Sequence, residues 1–284
     1  GLMRITILGS SGQIGAYLTK YLRGKGHEVM EFDKINASWQ DMTLIPNSSL
    51  RSAISQSDFV FFLAFDVGGS RYLKKYQHTF KFIDNNARML VSVFEYLDEY
   101  KTPFVFASSQ MSNMSYSPYG VMKRVGELYT KALGGLIVKF WNVYGIEKDH
   151  EKAHVITDFI RKGHETGVID MMTDGTEQRE FLYAEDCCEA LEKVMEEYET
   201  LDSDDNLHIT SFHSTTILEI ANIISQLFLS NDKIIKIIPS ESKDDVQKDA
   251  RNEADPYILK LWKPKTSIED GIKKVFEEMK NDWV

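Results

Sequence analysis

Three glycines near the N-terminus, Gly9, Gly12 and Gly15, set the tightest limit on what this chain can fold into. They form a G-x-x-G-x-x-G loop after the apolar run ITIL and before AYLTKYLRGKG, whose apolar spacing is typical of an amphipathic helix. The next stretch, HEVMEFD, predicts a second strand. In such a β-α-β unit the glycines let the backbone approach a pyrophosphate at the positive end of the helix.

Asp33 ends the second predicted strand, 24 residues after Gly9. A carboxylate at this point can accept hydrogen bonds from both ribose hydroxyls and repel a 2′-phosphate, which predicts NAD over NADP. The neighbouring Lys34 is a cation that could tolerate such a phosphate. The alternative is that the glycines serve only a tight turn and close helix packing, and the position of Asp33 disfavours it.

Further apolar runs predict a parallel sheet. The segments 58–65, 104–108 and 135–142 are short and apolar, as expected of strands covered on both faces, and they alternate with helical patterns. We therefore predict an α/β fold, a Rossmann-type doubly wound parallel sheet with a smaller C-terminal substrate-binding lobe. The NAD-binding domain is expected over residues 1–145, with added pieces from about 181–210, and a discontinuous lobe over 146–284.

Composition excludes several classes of partner. A chain of 284 residues with 43% hydrophobic content can bury a full core. The net charge of -10 argues against nucleic acid, so any anionic ligand must be held by local cations. No apolar run reaches the roughly 18 to 20 residues that span a bilayer. Cys187 and Cys188 are adjacent within a helical pattern, which disfavours a disulfide and fits a cytoplasmic location; no metal is predicted.

The stretch SSQMSNMSYSPYGVMK carries the candidate catalytic residues. Tyr119 and Lys123 are four residues apart, on one face of a helix that Ser117 can cap and Pro118 can begin. A lysine ammonium beside a phenol lowers its pKa from about 10 toward neutrality, so Tyr119 is a candidate base. Ser109 ends the preceding strand and could hold the same substrate hydroxyl. The motif alone occurs often by chance, but behind a dinucleotide loop it indicates catalysis.

Taken together, these motifs resemble the extended short-chain dehydrogenase/reductases that act on nucleotide sugars, a family that includes UDP-galactose 4-epimerase, GDP-mannose 3,5-epimerase and the nucleotide-sugar dehydratases. The resemblance covers nearly the whole chain. Its landmarks are GSSGQIG, FLAFDVGG, DNNARMLVSVFE, FASSQ, YGVMK, KFWNVYG, GTEQREFLYAEDCCEAL and LWKPKTSIEDGI.

The resemblance implies roles for individual residues. The catalytic set would be Ser109, Tyr119 and Lys123. Contacts to the cofactor would also come from Gln13, Ile14, Asp41, Met42, Leu63, Ala64 and Phe65. Contacts to the substrate would come from Gly69, Ser70, Gln110, Asn142, Arg179 and Arg251. Asn142 could instead only cap a turn, and Arg179 could pair with a surface acid, but an acidic protein needs local cations to hold a diphosphate.

Several positions depart from the family pattern. Phe62 replaces a usual histidine, and only nine residues separate Ser109 from Tyr119. Gln110 and Met111 stand where some relatives carry an acid or a cysteine. Neither side chain can exchange a proton at neutral pH, so the reaction is expected to stop at hydride transfer unless another group, foremost His154, reaches the sugar.

The resemblance implies NAD-dependent oxidation or reduction at C4 of a nucleoside-diphosphate sugar, as a 4-epimerase or a 4-dehydrogenase. The segment FDVGGS resembles the Gly-Gly loop of enzymes that use GDP-sugars, so GDP is a candidate for the nucleotide of the substrate in addition to UDP. The alternatives are a dehydratase or 3,5-epimerase, and a non-catalytic NAD-binding regulator of the same fold. The helices that begin near Thr79 and Tyr119 resemble those that form a four-helix homodimer interface in the family, which predicts a homodimer.

Overall fold

The structure, a computed structural model, describes residues 1–244, 246 and 252–283. The helices are α1 Gln13–Gly24, α2 Ser48–Gln56, α3 Ser70–Tyr76, α4 Phe80–Tyr100, α5 Pro118–Leu133, α6 Val155–Thr166, α7 Ala184–Glu196, α8 Ile217–Leu229 and α9 Ile268–Lys280. The strands are β1 Arg4–Leu8, β2 Glu28–Phe32, β3 Phe59–Phe62, β4 Phe104–Ser109, β5 Leu136–Phe140, β6 Asn142–Tyr144, β7 Val168–Asp170, β8 Gln178–Tyr183, β9 Leu207–Ile209, β10 Ser214–Thr216 and β11 Lys236–Ile238.

Six strands form the central sheet in the order β2-β1-β3-β4-β5-β9, and every neighbouring pair is parallel. The helices α1 and α7 lie over one apolar cluster on this sheet, whereas α2, α4 and α5 lie over another. The predicted doubly wound α/β fold is confirmed. Because all six strands run the same way, their carboxyl ends meet at one edge, where open α/β sheets bind ligands.

The apolar composition of residues 135–142 predicts one strand, but the structure divides this run between β5 and β6. The chain leaves the central sheet at Trp141, and β6 pairs with β8 in a second sheet of order β10-β8-β6. Trp141 stands at this break. Its side chain lines the cavity, and the centre of its ring lies 4.8 Å from the centre of the His208 ring.

The smaller lobe has its own apolar core. The second sheet, the pair β7 and β11, and the helices α6, α8 and α9 enclose residues such as Phe159, Ile220 and Phe276. The segment between β8 and β10 returns to the other part of the molecule, because α7 packs on α1 and β9 extends the central sheet. The chain thus crosses between the two parts several times, and the domain boundary near residue 145 stays a prediction. Within the described ranges, no helix is long and apolar enough to cross a membrane.

Candidate active site

A cavity of about 1140 Å³ opens at the carboxyl edge of the central sheet. Its wall contains the glycine loop, the end of β2, the ends of β3 and β4, the start of α5, and the loop after β6. Most residues predicted for the site lie in this wall: Gly9, Gly12, Gln13, Ile14, Gly15, Asp33, Lys34, Asp41, Met42, Leu63, Ala64, Phe65, Gly69, Ser70, Ser109, Gln110, Tyr119, Lys123 and Asn142.

The glycine loop cannot carry side chains at two of its positions. Gly9 has φ +91, in the left-handed region, and a Cβ atom there would lie 2.8 Å from the backbone of Ala64. A Cβ on Gly15 would lie 2.0 Å from the carbonyl oxygen of Gly9. The glycines therefore allow close packing of β1, the loop and α1, and they leave the N-terminus of α1 open to the cavity.

Asp33 is fixed in place by the backbone around it. Its Oδ2 accepts a hydrogen bond from the Ser11 N–H at 3.0 Å, and its Oδ1 accepts one from the Ile35 N–H at 3.1 Å. The residue is 9% exposed and lines the cavity beside the glycine loop. A carboxylate held in this way can accept hydrogen bonds from ribose hydroxyls through its remaining lone pairs without moving.

The loop also contains polar atoms whose partners are missing from the described part of the chain. The Nε2 of Gln13 and the Oγ of Ser10 are both buried and make no hydrogen bond, and both residues line the cavity. Unsatisfied buried groups are costly, and such groups at a ligand site are satisfied when the ligand binds. The donor set, the loop and Asp33 together fit a dinucleotide of the NAD type.

Tyr119, Lys123 and Ser109 meet where α5 begins against the end of β4. Ser117 caps the helix by accepting from the Gly120 N–H, as expected. Tyr119 is hydrogen-bonded to Ser109, and its ring packs edge-on against Phe65 at 5.7 Å. The Oγ of Ser109 also accepts from the Met111 N–H at 3.1 Å, which fixes its orientation.

Lys123 is buried and does not form an ion pair with a phenolate. Its Nζ donates to the Ala107 carbonyl oxygen at 2.6 Å and lies 3.9 Å from the centre of the Phe65 ring. Burial lowers the pKa of Lys123 to about 7 and raises the pKa of Tyr119 to about 12. The lowered phenol pKa expected from the Tyr-x-x-x-Lys spacing is therefore wrong for the protein alone, because both groups are desolvated.

His154 reaches the same cavity, and it is paired. Its Nδ1 lies 2.8 Å from Glu147 Oε2, and its backbone N–H donates to Glu147 Oε1 at 2.8 Å. Burial alone would lower the pKa of His154, but the charge and hydrogen bond of Glu147 raise it above its ordinary value. A histidine oriented by a carboxylate in a cavity wall is a competent proton donor or acceptor.

The Gly-Gly segment has a packing role that its sequence did not indicate. The Gly69 N–H donates to the Lys152 carbonyl oxygen at 3.0 Å, and a Cβ on Gly69 would lie 2.6 Å from the Ala153 oxygen. This contact brings the loop that carries His154 against the start of α3. Asp66 beside it also lines the cavity and pairs with Lys152 at 3.4 Å.

Of the two predicted arginines, Arg179 does not line the cavity. It lies on β8, and its Nη2 forms an ion pair with Asp244 in which the side chains are 14% and 8% exposed. Its contact with a substrate stays a prediction that requires Asp244 to release it. Arg251 lies outside the described residues. In the same ranges, no group of three or more His, Cys, Asp or Glu side chains is arranged to hold a metal ion.

Several cavity residues were not identified from the sequence. They include Asp66, Trp141, Glu147, Lys152 and Val246. Asp66 follows directly on a predicted strand, which was an available signal. Glu147 and Lys152 lie on the loop after β6, whose course toward the cavity depends on contacts that are distant in sequence.

Comparison with known proteins also indicates a family of NAD-dependent enzymes. The family model described as the NAD dependent epimerase/dehydratase family matches residues 5–209. The UDP-N-acetyl-alpha-D-glucosaminuronate decarboxylase of Bacillus cytotoxicus is 26% identical over 98% of this chain and 99% of that protein. The GDP-L-fucose synthase of Sinorhizobium fredii is 28% identical over 56% of this chain and 53% of that protein.

Among solved structures, the epimerase Mth375 of Methanothermobacter thermautotrophicus has a TM-score of 0.86 at 20% identity. The similarity covers 99% of this chain and 93% of that one. At this identity the similarity demonstrates the shared fold alone.

Proposed function

Because the chain belongs to the NAD-dependent epimerase/dehydratase family, whose members are enzymes, we propose that it oxidises or reduces C4 of a nucleoside-diphosphate sugar. The observation that carries this proposal is one cavity whose wall contains the glycine loop, Asp33, Ser109, Tyr119 and Lys123. NAD, when bound, supplies a group that accepts a hydride and can return it. The chain would hold NAD through the glycine loop and Asp33.

The residues around Tyr119 handle the proton of the sugar hydroxyl. Ser109 holds the C4 oxygen within reach of the Tyr119 phenol, whose position is fixed by Phe65. With a pKa near 12, Tyr119 carries its proton at neutral pH and is ready to protonate a C4 oxygen. Oxidation requires that proton to leave first, so the charge on Lys123 decides how readily Tyr119 acts as a base.

The nucleotide carrier is proposed from the relatives. One relative is named for a UDP-linked sugar acid and the other for a GDP-linked sugar. A thermal-shift panel of UDP- and GDP-sugars, run with NAD present, tests this because a ligand of the folded state raises the unfolding temperature. We expect at least one nucleotide sugar to stabilise the protein and to be converted. A panel with no stabilising member would contradict the proposal.

A second function is favoured by the pair of His154 and Glu147. Once C4 is a ketone, the C–H groups at C3 and C5 become acidic, and a histidine in the cavity wall could exchange their protons. Gln110 and Met111 cannot do this, as the sequence indicated. The first proposal therefore predicts no exchange, and a 3,5-epimerase or dehydratase predicts exchange that depends on His154.

Turnover in deuterated water separates the two functions. The product is washed free of hydroxyl deuterium and its carbon-bound deuterium is located by NMR and mass spectrometry. Deuterium at C3, C5 or C6 that disappears in His154→Gln would establish the second function. A product without carbon-bound deuterium supports chemistry confined to C4.

The homodimer stays a prediction. The helices α4 and α5 pack on each other and leave large apolar side chains exposed, among them Phe80 at 81% and Leu128 at 53%. A second copy of these two helices would cover them. Light scattering at micromolar concentration should give the mass of a dimer, and a monomer mass would contradict the prediction.

A further inference from the structure

Glu127 is a buried carboxylate next to the catalytic residues, and the proposed reaction gives it no role. It lies on α5 four residues after Lys123, and the two residues are 2% and 4% exposed. Side chains four apart on a helix are neighbours on one face. An acid of this kind is almost never buried unless it is paired.

Glu127 binds the strand that carries Ser109. The Ser108 hydroxyl donates to Glu127 Oε2 at 2.5 Å, and Ala107, the next residue back along β4, accepts from Lys123. Consecutive residues of β4 are thus held by consecutive turns of α5. The carboxylate is positioned by the same strand end that positions the reacting groups.

Two cations pair with this carboxylate. Arg124 Nη1 lies 3.0 Å and Lys139 Nζ 4.0 Å from Glu127 Oε1, and their side chains are 47% and 27% exposed. Solvent stabilises their charges, whereas Lys123 is almost fully buried. If Glu127 lost its charge, the buried Lys123 would lose the carboxylate that lies one turn away on its own helix.

The other elements packed around these groups add little charge. His208 on β9 interacts electrostatically with Glu127, but burial and the charge of Lys139 lower its pKa to about 4, so it is neutral near pH 7. Of the α4 residues that are buried, none is Asp, Glu, Lys, Arg or His. Tyr119, on the turn before Lys123, carries its proton at neutral pH.

We propose that Glu127 is a positioning residue that keeps Lys123 protonated and so sets the pH range in which Tyr119 works. The burial of Lys123 lowers its pKa to about 7, and the charge of Glu127 opposes that lowering. Below this pKa the lysine carries its charge, and above it the charge is lost. The role in turnover rests on the proposed function, but the effect on Lys123 does not.

The test is the titration of Lys123 in the NAD-free protein by ¹³C NMR, with lysine labelled at Cε and the signal assigned by its loss in Lys123→Met. We expect Glu127→Gln to lower the midpoint by about one pH unit. Ser108→Ala removes a hydrogen bond but leaves the charge, and should not lower it. Glu192→Gln is the matched control, since Glu192 is a carboxylate 7% exposed on α7 that binds Tyr21.

An unchanged midpoint in Glu127→Gln would overturn the proposal. If that variant does not fold, Arg124→Gln replaces it, because removing a cation that pairs with Glu127 should raise the midpoint, and an unchanged or lower midpoint would overturn the proposal. With a nucleotide sugar that the wild type converts, the alkaline limit of activity should move to lower pH in Glu127→Gln. The titration needs no turnover, so an inactive wild type would count against the proposed function and leave this result intact.

Discussion

The Rossmann half and the smaller lobe place their functional side chains in different ways. In the Rossmann half, Gly9, Asp33 and Ser109 follow or end parallel strands, so the sheet itself brings them to the cavity. In the lobe, the guanidinium of Arg179 forms an ion pair with Asp244 of the same chain. One half has its polar side chains already at the cavity, whereas the cation of the other is paired with an internal anion, which a phosphate would have to replace if Arg179 binds the substrate.

The largest effect should come from the Rossmann half. Tyr119→Phe removes the hydroxyl that we propose exchanges the substrate proton, but it keeps the ring against Phe65. We expect turnover to fall by about 10²- to 10⁴-fold, with NAD affinity within a few-fold of the wild type. Steady-state rates and NAD titration measure the two effects.

Tyr96→Phe is the control for this change, because Tyr96 is 5% exposed and its hydroxyl binds Asn47 outside the cavity. Nearly normal turnover in Tyr119→Phe would show that Tyr119 is not the residue that exchanges the substrate proton.

A smaller effect is expected for cofactor choice. Asp33→Ser deletes a carboxylate that would accept from the ribose and repel a 2′-phosphate, so the ratio of NAD to NADP affinity should fall by about 10- to 100-fold. Asp58→Ser, at an exposed acid paired with Arg4, should leave the ratio unchanged. A wild type that already prefers NADP would show that Asp33 does not select the cofactor.

The smallest effect should come from the lobe. Asp244→Asn removes the charge that holds Arg179, and if Arg179 binds the diphosphate we expect the nucleotide sugar to bind about 2- to 5-fold more tightly. Asp174→Asn is the control, since Asp174 pairs with Lys243 in the same lobe. Calorimetric titration with the nucleotide sugar measures this, and unchanged or weaker affinity in Asp244→Asn would show that the pair does not compete with substrate.

The same contrast explains which parts of the structure could be predicted from the sequence. Gly9, Asp33 and Tyr119 belong to local patterns, because a strand end, a tight loop and a helix start are specified by a few neighbouring residues. The partner of Arg179 lies 65 residues away, and no local pattern identifies it.

The pKa values of Tyr119 and Lys123 could not be predicted from the sequence, because they also depend on residues that are distant along the chain. The spacing of Tyr119 and Lys123 fixes their helix face, but it does not reveal that Phe65 and the Ala107 carbonyl oxygen surround the lysine. Burial therefore raised the phenol pKa where the spacing predicted a lower one. The sequence indicates His154 as a group that could reach the sugar, but its pairing with Glu147 depends on how the loop after β6 folds.

We propose that this cavity carries out hydride chemistry at C4 of a nucleotide sugar through NAD and Tyr119. The most direct measurement uses the nucleotide sugar selected by the panel, deuterated at C4, in a single turnover with NAD-loaded protein that is quenched and analysed by mass spectrometry. We expect deuterium in the cofactor during turnover, a slowed reaction relative to unlabelled sugar, and a much slower transfer of deuterium to the cofactor in Tyr119→Phe. Conversion of the sugar with all deuterium retained at C4 and none ever in the cofactor would contradict the proposal.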